Sequence, residues 1–174
     1  AKKIKKQIKD VDIISFTNVF AHIDDLDELL KSLKIMMDKN TMVVIENHYL
    51  GEVIKKNQFD TFYHEHPRTY SLNSFYKISK LLNLNIVNYS FVKRYNGNLR
   101  VFLELSKKSN INKKLKNDLI KEKKIIKNIK NFQGKVNSWK VKKKAYLTNL
   151  TKKFGPIPAK AFPGRASILI NLLG

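Results

Sequence analysis

The chain has 174 residues, no cysteine, and 35 Lys+Arg against 14 Asp+Glu, for a formal net charge of +21. Its 43% hydrophobic and 10% aromatic content can build a core, which excludes wholesale disorder, while the missing cysteine excludes a disulfide framework and Cys-based zinc or redox sites. No run of 18 or more apolar residues offers a transmembrane helix, and the Lys-rich start Ala1–Lys6 has no apolar segment behind it to act as a secretory signal.

Residues 11–20, from Val11 to Phe20, predict a buried strand running into a loop, and their almost continuous apolar character suits a parallel sheet covered on both faces. Asp24 or Asp25 then caps a helix whose Leu26, Leu29, Leu30, Leu33, Met36 and Met37 recur at helical spacing. After Asp38-Lys39-Asn40, residues 41–46 predict a second buried strand. A strand–helix–strand unit of this length fits a parallel crossover. Residues 47–67 are irregular, polar and aromatic, with a short helical piece near 52–56. Ser71 opens a helix carrying Phe75, Ile78, Leu81 and Leu82, followed by a strand over 84–92. Asn96-Gly97 is a turn signal, and residues 99–105 form the second arm of an antiparallel pair.

From residue 107 to 153 the pattern changes. Ile111, Leu115, Leu119, Ile126, Ile129, Val136, Trp139, Tyr146 and Leu150 lie near one helical stripe, which predicts one or two long helices with a break near Gly134. This stretch holds seventeen lysines against Asp118 and Glu122, and residues 1–10 hold five lysines against Asp10. The rest of the chain is close to neutral. Only four basic residues are arginine, the side chain that suits groove reading and phosphate clamping. Asn and Ile occur 18 times each, so the lysine excess fits an A+T-rich coding bias and reads as a solvated helix face. A basic nucleic-acid-binding or scaffold protein using residues 107–153 is the alternative reading, although the composition argues against nucleic acid as partner. Phe154-Gly155-Pro156 ends the helices, residues 159–162 suggest a short strand, and a helix follows from Arg165 to Leu173.

The chemistry-bearing residues crowd into one loop. Three of four histidines, His48, His64 and His66, lie on or beside it, with Phe62-Tyr63-His64-Glu65-His66-Pro67 as its densest patch. Loops at the ends of parallel strands are where α/β enzymes place catalysis. The residues alone allow three readings. His48, His64, His66 and Glu65 could ligate a metal for an oxygenase or hydrolase. His66 could act as a general base, since imidazole titrates near ~6.5. The loop could also be plain polar surface.

Asn18-Val19-Phe20-Ala21-His22-Ile23, Phe59–His66 and Gly97-Asn98-Leu99-Arg100-Val101-Phe102 resemble, in order and spacing, the sugar C-methyltransferases. These S-adenosylmethionine-dependent enzymes act on nucleotide-linked keto-deoxysugars. Pro158-Ala159-Lys160 resembles the start of that family's C-terminal domain. The resemblance spans roughly residues 10–174, and its Tyr-His-Glu-His block is the most specific part.

The resemblance implies an α/β fold: the C-terminal half of a class I, Rossmann-like methyltransferase sheet in residues 1–106. A Lys-rich helical connector would follow over 107–153, and the first βα unit of a second α/β domain over 154–174. It implies His66 as the base that takes a proton beside a ketone, with Glu65 and Tyr63 orienting groups or stabilising the enolate, and His22, in the same catalytic set, facing the cleft from the carboxyl end of the first strand. Asn18 would lie at the cofactor edge, and Asn98, Arg100 and Lys160 would meet the substrate. His64 stays outside the catalytic set, and no metal is expected. The implied cofactor is S-adenosylmethionine, the partner a nucleotide sugar, the location cytoplasmic. The family's Gly-rich cofactor turn and its N-terminal cysteine zinc module have no counterpart among the six scattered glycines and absent cysteines. The lack of a starting Met agrees with a fragment whose N-terminal part belongs to the same enzyme. Asn96-Gly97 stands where the family has a Gly pair.

Overall fold

The computed structural model describes residues 1–8, 10–105, 112–158, 160 and 164–174. Its centre is a four-stranded sheet in the order β1-β2-β4-β3, formed by Ile13–Thr17 (β1), Met42–His48 (β2), Asn85–Val92 (β3) and Asn98–Glu104 (β4). β1 and β2 run parallel, joined by the helix Leu26–Met36 (α2). β3 and β4 form the expected antiparallel pair, and β4 inserts antiparallel beside β2. The sheet is mixed α/β, as the sequence predicts.

β1 corrects one expectation. It lies at the sheet edge, where Ile14 and Phe16 face the core and Ile13, Ser15 and Thr17 are exposed. Ile13 is 63% exposed. A parallel strand is apolar on both faces when helices cover both; among the described residues only one face of β1 is covered.

The core sits between the sheet and helix Leu72–Leu81 (α4). Phe20, Phe75, Leu72, Leu84, Leu99 and Leu103 are almost fully buried there. Phe20 meets Phe16, Tyr70 and Phe75 edge-on or tilted at 5.4, 5.2 and 6.1 Å, and Tyr70 stacks on Phe75 at 5.0 Å. Such aromatic pairs add to the area they bury. α2 begins as expected, with Asp25 accepting from Glu28 N at 2.8 Å. Ser71 caps α4 in a reciprocal box with Ser74.

The short piece near 52–56 is the helix Leu50–Lys55 (α3), and a helix over Lys2–Gln7 (α1) was not anticipated. The long helices are Lys113–Lys127 (α5) and Ile129–Phe154 (α6), divided at Asn128; Gly134 lies inside α6 with open space around it. The stripe is also revised. Leu115 and Val136 are buried, but Ile129 and Tyr146 face solvent, and the charged Glu122 is buried. Ile111 and all but Lys160 of the suggested strand 159–162 lie outside the described residues. A final helix, Ala166–Leu173 (α7), packs against α6 and the turn Phe59–Thr61. Among the described residues, no helix is long and apolar enough to cross a membrane.

Candidate active site

The carboxyl ends of β1 and β2 open onto a cleft. Asn18, directly after β1, turns the chain with φ +54, in the left-handed region that Asn tolerates better than most residues. Its backbone N–H donates to Glu46 O at 2.8 Å, and the chain then winds into the short turn Phe20–His22. Asn47 on β2, its amide turned to satisfy both neighbours, accepts from Ala21 N at 2.9 Å and donates to Glu46 O at 2.7 Å. Burial of Phe20 and Ala21 fixes the inner side of this turn and leaves His22 at the cleft wall.

The Tyr63–His66 loop closes the opposite side. Arg68 anchors it by donating from Nη1 to Ile23 O at 2.7 Å, and His66 N–H donates to Tyr63 O at 2.8 Å. The His66 ring lies 4.6 Å from His22, 4.5 Å from Tyr63 and 6.2 Å from His48, centroid to centroid. Tyr63 donates its hydroxyl to Glu65 Oε2 at 3.1 Å. His64 turns away, with 79% of its side chain exposed, and lies 3.9 Å from Glu65.

One turn orders the whole cluster. Thr61, 1% exposed, offers its carbonyl to His66 Nδ1 at 3.1 Å and its hydroxyl to His48 Nδ1 at 3.0 Å. A carbonyl can only accept, so His66 carries its proton on Nδ1 and keeps the lone pair on Nε2. Asp60, in the same turn, holds Arg165 through its carboxylate (Nη2 to Oδ2, 2.9 Å) and its carbonyl (Nε to O, 3.2 Å). Thr61, Asp60 and Arg165 were not singled out from the sequence, and neither was Tyr95. Tyr95 lines the cleft 6.0 Å from His48 with φ +48, an outlier for a bulky residue. Asp60 and Thr61 lie inside the Phe59–His66 block with no role assigned to them there, and Arg165 and Tyr95 carry no local signal of function.

Burial pulls the imidazoles of His66 and His48 below their ordinary titration range. For His66 the Thr61 carbonyl works the other way, while His22 and Arg165 add to the fall. For His48, Arg165 and His66 reinforce burial. Both rings are therefore neutral at pH 7, and His66 Nε2 is a free base. Their folded values lie below the unfolded ~6.5, so the stability they confer is complete above that pH and is lost as pH falls through the folded values. The melting temperature should accordingly drop between about pH 7 and 5, more steeply in wild type than in a His48→Gln/His66→Gln variant. Equal slopes would contradict neutral burial.

Asn98 and Arg100, expected at the substrate, are engaged with Glu46. The β2–β4 register sets Arg100 opposite Glu46. Arg100 donates from Nε at 2.7 Å and Nη2 at 2.6 Å to Glu46 Oε2. Asn98 Nδ2 donates to Glu46 Oε1 at 2.9 Å and to Asn18 Oδ1 at 3.0 Å. Burial of Glu46 favours its neutral form, but Asn98 and Arg100 outweigh that and hold its carboxyl below the ordinary range. At 1% exposure Asn98 stands behind the cleft wall, steadying Asn18, whereas 40% of the Arg100 side chain stays exposed. Lys160 is exposed, and no hydrogen bond or ion pair of its side chain is found among the described residues. His64, one of the histidines of the metal reading, turns away from the cleft, and the ring beside His66 is that of His22. Among the described residues, no group of three or more His, Asp or Glu has a metal-holding arrangement.

The comparisons with known proteins agree with this geometry. Residues 2–89, half the chain, match the family model described as a methyltransferase domain. The chain is similar to the C-methyltransferase NovU of Streptomyces niveus, with 34% identity over 83 residues. That match covers 48% of this chain and 20% of the relative, so the chain spans about a fifth of the relative's length. With a mixed sheet, a cleft at its strand ends and half its length matched, the chain belongs to the methyltransferase domain family.

Proposed function

We propose that the intact protein is an S-adenosylmethionine-dependent C-methyltransferase acting on a carbon beside a ketone of a nucleotide-linked deoxysugar. One observation carries this reading: His66 presents an unprotonated Nε2 in a cleft walled by His22, His48 and Tyr63, its other nitrogen held by Thr61. His66 takes the proton from the carbon next to the carbonyl, and the electron pair of that C–H bond moves onto the ketone oxygen as an enolate. Tyr63 and His22 flank the imidazole and fix its plane, and Glu65 orients the Tyr63 hydroxyl. The cofactor, when bound, supplies a sulfonium methyl, the electrophile that the enolate carbon needs.

The described residues fit only one edge of that cofactor. Asn18 borders the cleft at the β1 end. No glycine forms an open cradle there. A Cβ on Gly51 would meet the Tyr49 ring at 2.5 Å, and one on Gly97 would meet Glu52 Cβ at 2.7 Å, so both close approaches are filled by the chain itself. We therefore assign the Gly-rich turn, and the zinc module, to a part of the enzyme outside this sequence. The open edge of β1 and the one-fifth coverage of the relative support that assignment. Residues 107–153 serve as connector and residues 154–174 begin a second α/β unit in this proposal, which places the enzyme in the cytoplasm.

Two measurements test it. The 174-residue chain alone should bind S-adenosylmethionine weakly or not at all by calorimetry; tight binding would refute the shared-site reading. The intact protein should transfer isotopically labelled methyl to carbon of a nucleotide-linked keto-deoxysugar, and label found on oxygen or nitrogen would overturn C-methylation. The nucleic-acid alternative has weak support in the composition, because only four of the 35 basic residues are arginine, the side chain suited to phosphate clamping.

A further inference from the structure

Among the described residues, Arg165 is the only permanently charged side chain lining the cleft, where its neighbours are amides, an alanine, two tyrosines and three histidines. It reaches the cleft from a segment about a hundred residues beyond the catalytic loop, through the turn that precedes α7. A guanidinium has five N–H donors in a planar fork. Asp60 engages one on Nε, at 3.2 Å to its carbonyl, and one on Nη2, at 2.9 Å to its carboxylate. Among the described residues nothing takes the Nη1 donors. This two-point hold on one edge of the fork fixes the plane of the group and leaves the other edge for a ligand. Among the described residues, no carboxylate lines the cleft to compete for it.

We propose that Arg165 is an anion-binding residue of this cleft, using its free Nη1 edge to hold a negatively charged ligand oxygen across from His66. Two sources supply such an oxygen. One is a phosphate of the ligand. The other is the enolate left when His66 removes a proton, and only this second source rests on the function proposed above. Asp60 is a positioning residue in either case, because it acts on the ligand only through Arg165.

The experiment titrates inorganic pyrophosphate into the intact protein while following the histidine imidazole resonances, and measures methyl transfer in parallel. If phosphate is the source, pyrophosphate shifts the cleft imidazoles, and Arg165→Gln weakens that binding about tenfold to hundredfold, the worth of a charge-assisted hydrogen bond. If the enolate is the source, pyrophosphate leaves the imidazoles unmoved, and Arg165→Gln lowers kcat about tenfold or more with KM little changed. Arg165→Lys keeps the charge but loses the fork, so it shows the same loss in smaller degree and guards against a folding defect in the Gln variant. Asp60→Asn should show an intermediate loss. The proposal is overturned if a folded Arg165→Gln keeps both wild-type pyrophosphate affinity and wild-type kcat, or if pyrophosphate moves only signals from the lysines of α5 and α6. Should methyl transfer fail in wild type while Arg165-dependent pyrophosphate binding persists, the anion site stands and the proposed reaction falls.

Discussion

Replacing His66 by alanine in the intact protein is expected to lower kcat for methyl transfer by about 10²–10⁴-fold, the usual contribution of a positioned base. The loss should fall on kcat and leave KM nearly unchanged, because the ring acts on a proton and contributes little to holding the ligand. His66→Gln should fare no better. An amide can still bond the Thr61 carbonyl, but it has no lone pair basic enough to accept a proton from carbon. The wild-type rate should rise with pH through a value below the ordinary imidazole range, since burial, His22 and Arg165 all favour the neutral ring. In a solvent-exchange experiment, wild type should wash deuterium into the position beside the ketone while His66→Ala should not. Wild-type turnover in the alanine variant would remove His66 from the mechanism.

The second large effect is on stability, and it lies far from the cleft. Glu122 on α5 is 1% exposed, and among the described residues no lysine is ion-paired with it. Its carboxylate instead accepts from the first turn of α4: Leu72 N at 2.6 Å and Asn73 N at 2.7 Å, with the Asn73 amide also donating to it. Asn73 Nδ2 reaches Leu119 O at 3.0 Å as well, so the two helices are laced together. The first N–H groups of a helix have no internal partner, and its amino end carries partial positive charge. A buried carboxylate satisfies both at once. Glu122→Ala strands those buried donors without water, and should cost about 3 kcal/mol. For a chain of this size that corresponds to a fall in melting temperature of about 6–12 °C. Glu122→Gln should cost about two-thirds as much, because one oxygen still accepts while the new NH₂ faces other donors. A fall of less than about 2 °C in the alanine variant would show that α5 does not hold α4 in this way.

Glu122 also shows why part of the molecule was hidden in its sequence. Counted along α5 it stands three residues after Leu119 and seven after Leu115, squarely on the apolar face. A glutamate in a run of lysines nonetheless reads as one more solvated charge. The clue was positional, and its meaning depended on a helix end fifty residues away. The same applies to Asp60 and Thr61. They lie inside the Phe59–His66 block, but gain a role only when the fold brings Arg165 to one and two imidazoles to the other. Ile13 errs in the opposite direction: its apolar neighbourhood looks like a strand buried on both faces, yet β1 is an edge.

What the sequence determined by itself was the local order of the chain. Periodicity gave the crossover from β1 through α2 to β2, the β3–β4 pair and the long α5–α6 stretch, because such patterns repeat within a few residues of each other. The Tyr63–His66 block was legible for the same reason, as four chemically distinctive residues in a row. The tertiary structure alone decided which groups meet. It set His22 against His66, turned His64 outward, spent Asn98 on Glu46 and brought Arg165 to Asp60. Those pairings span tens of residues, and they are fixed by strand register, buried turns and the packing of α7. No short-range pattern encodes contacts at that distance.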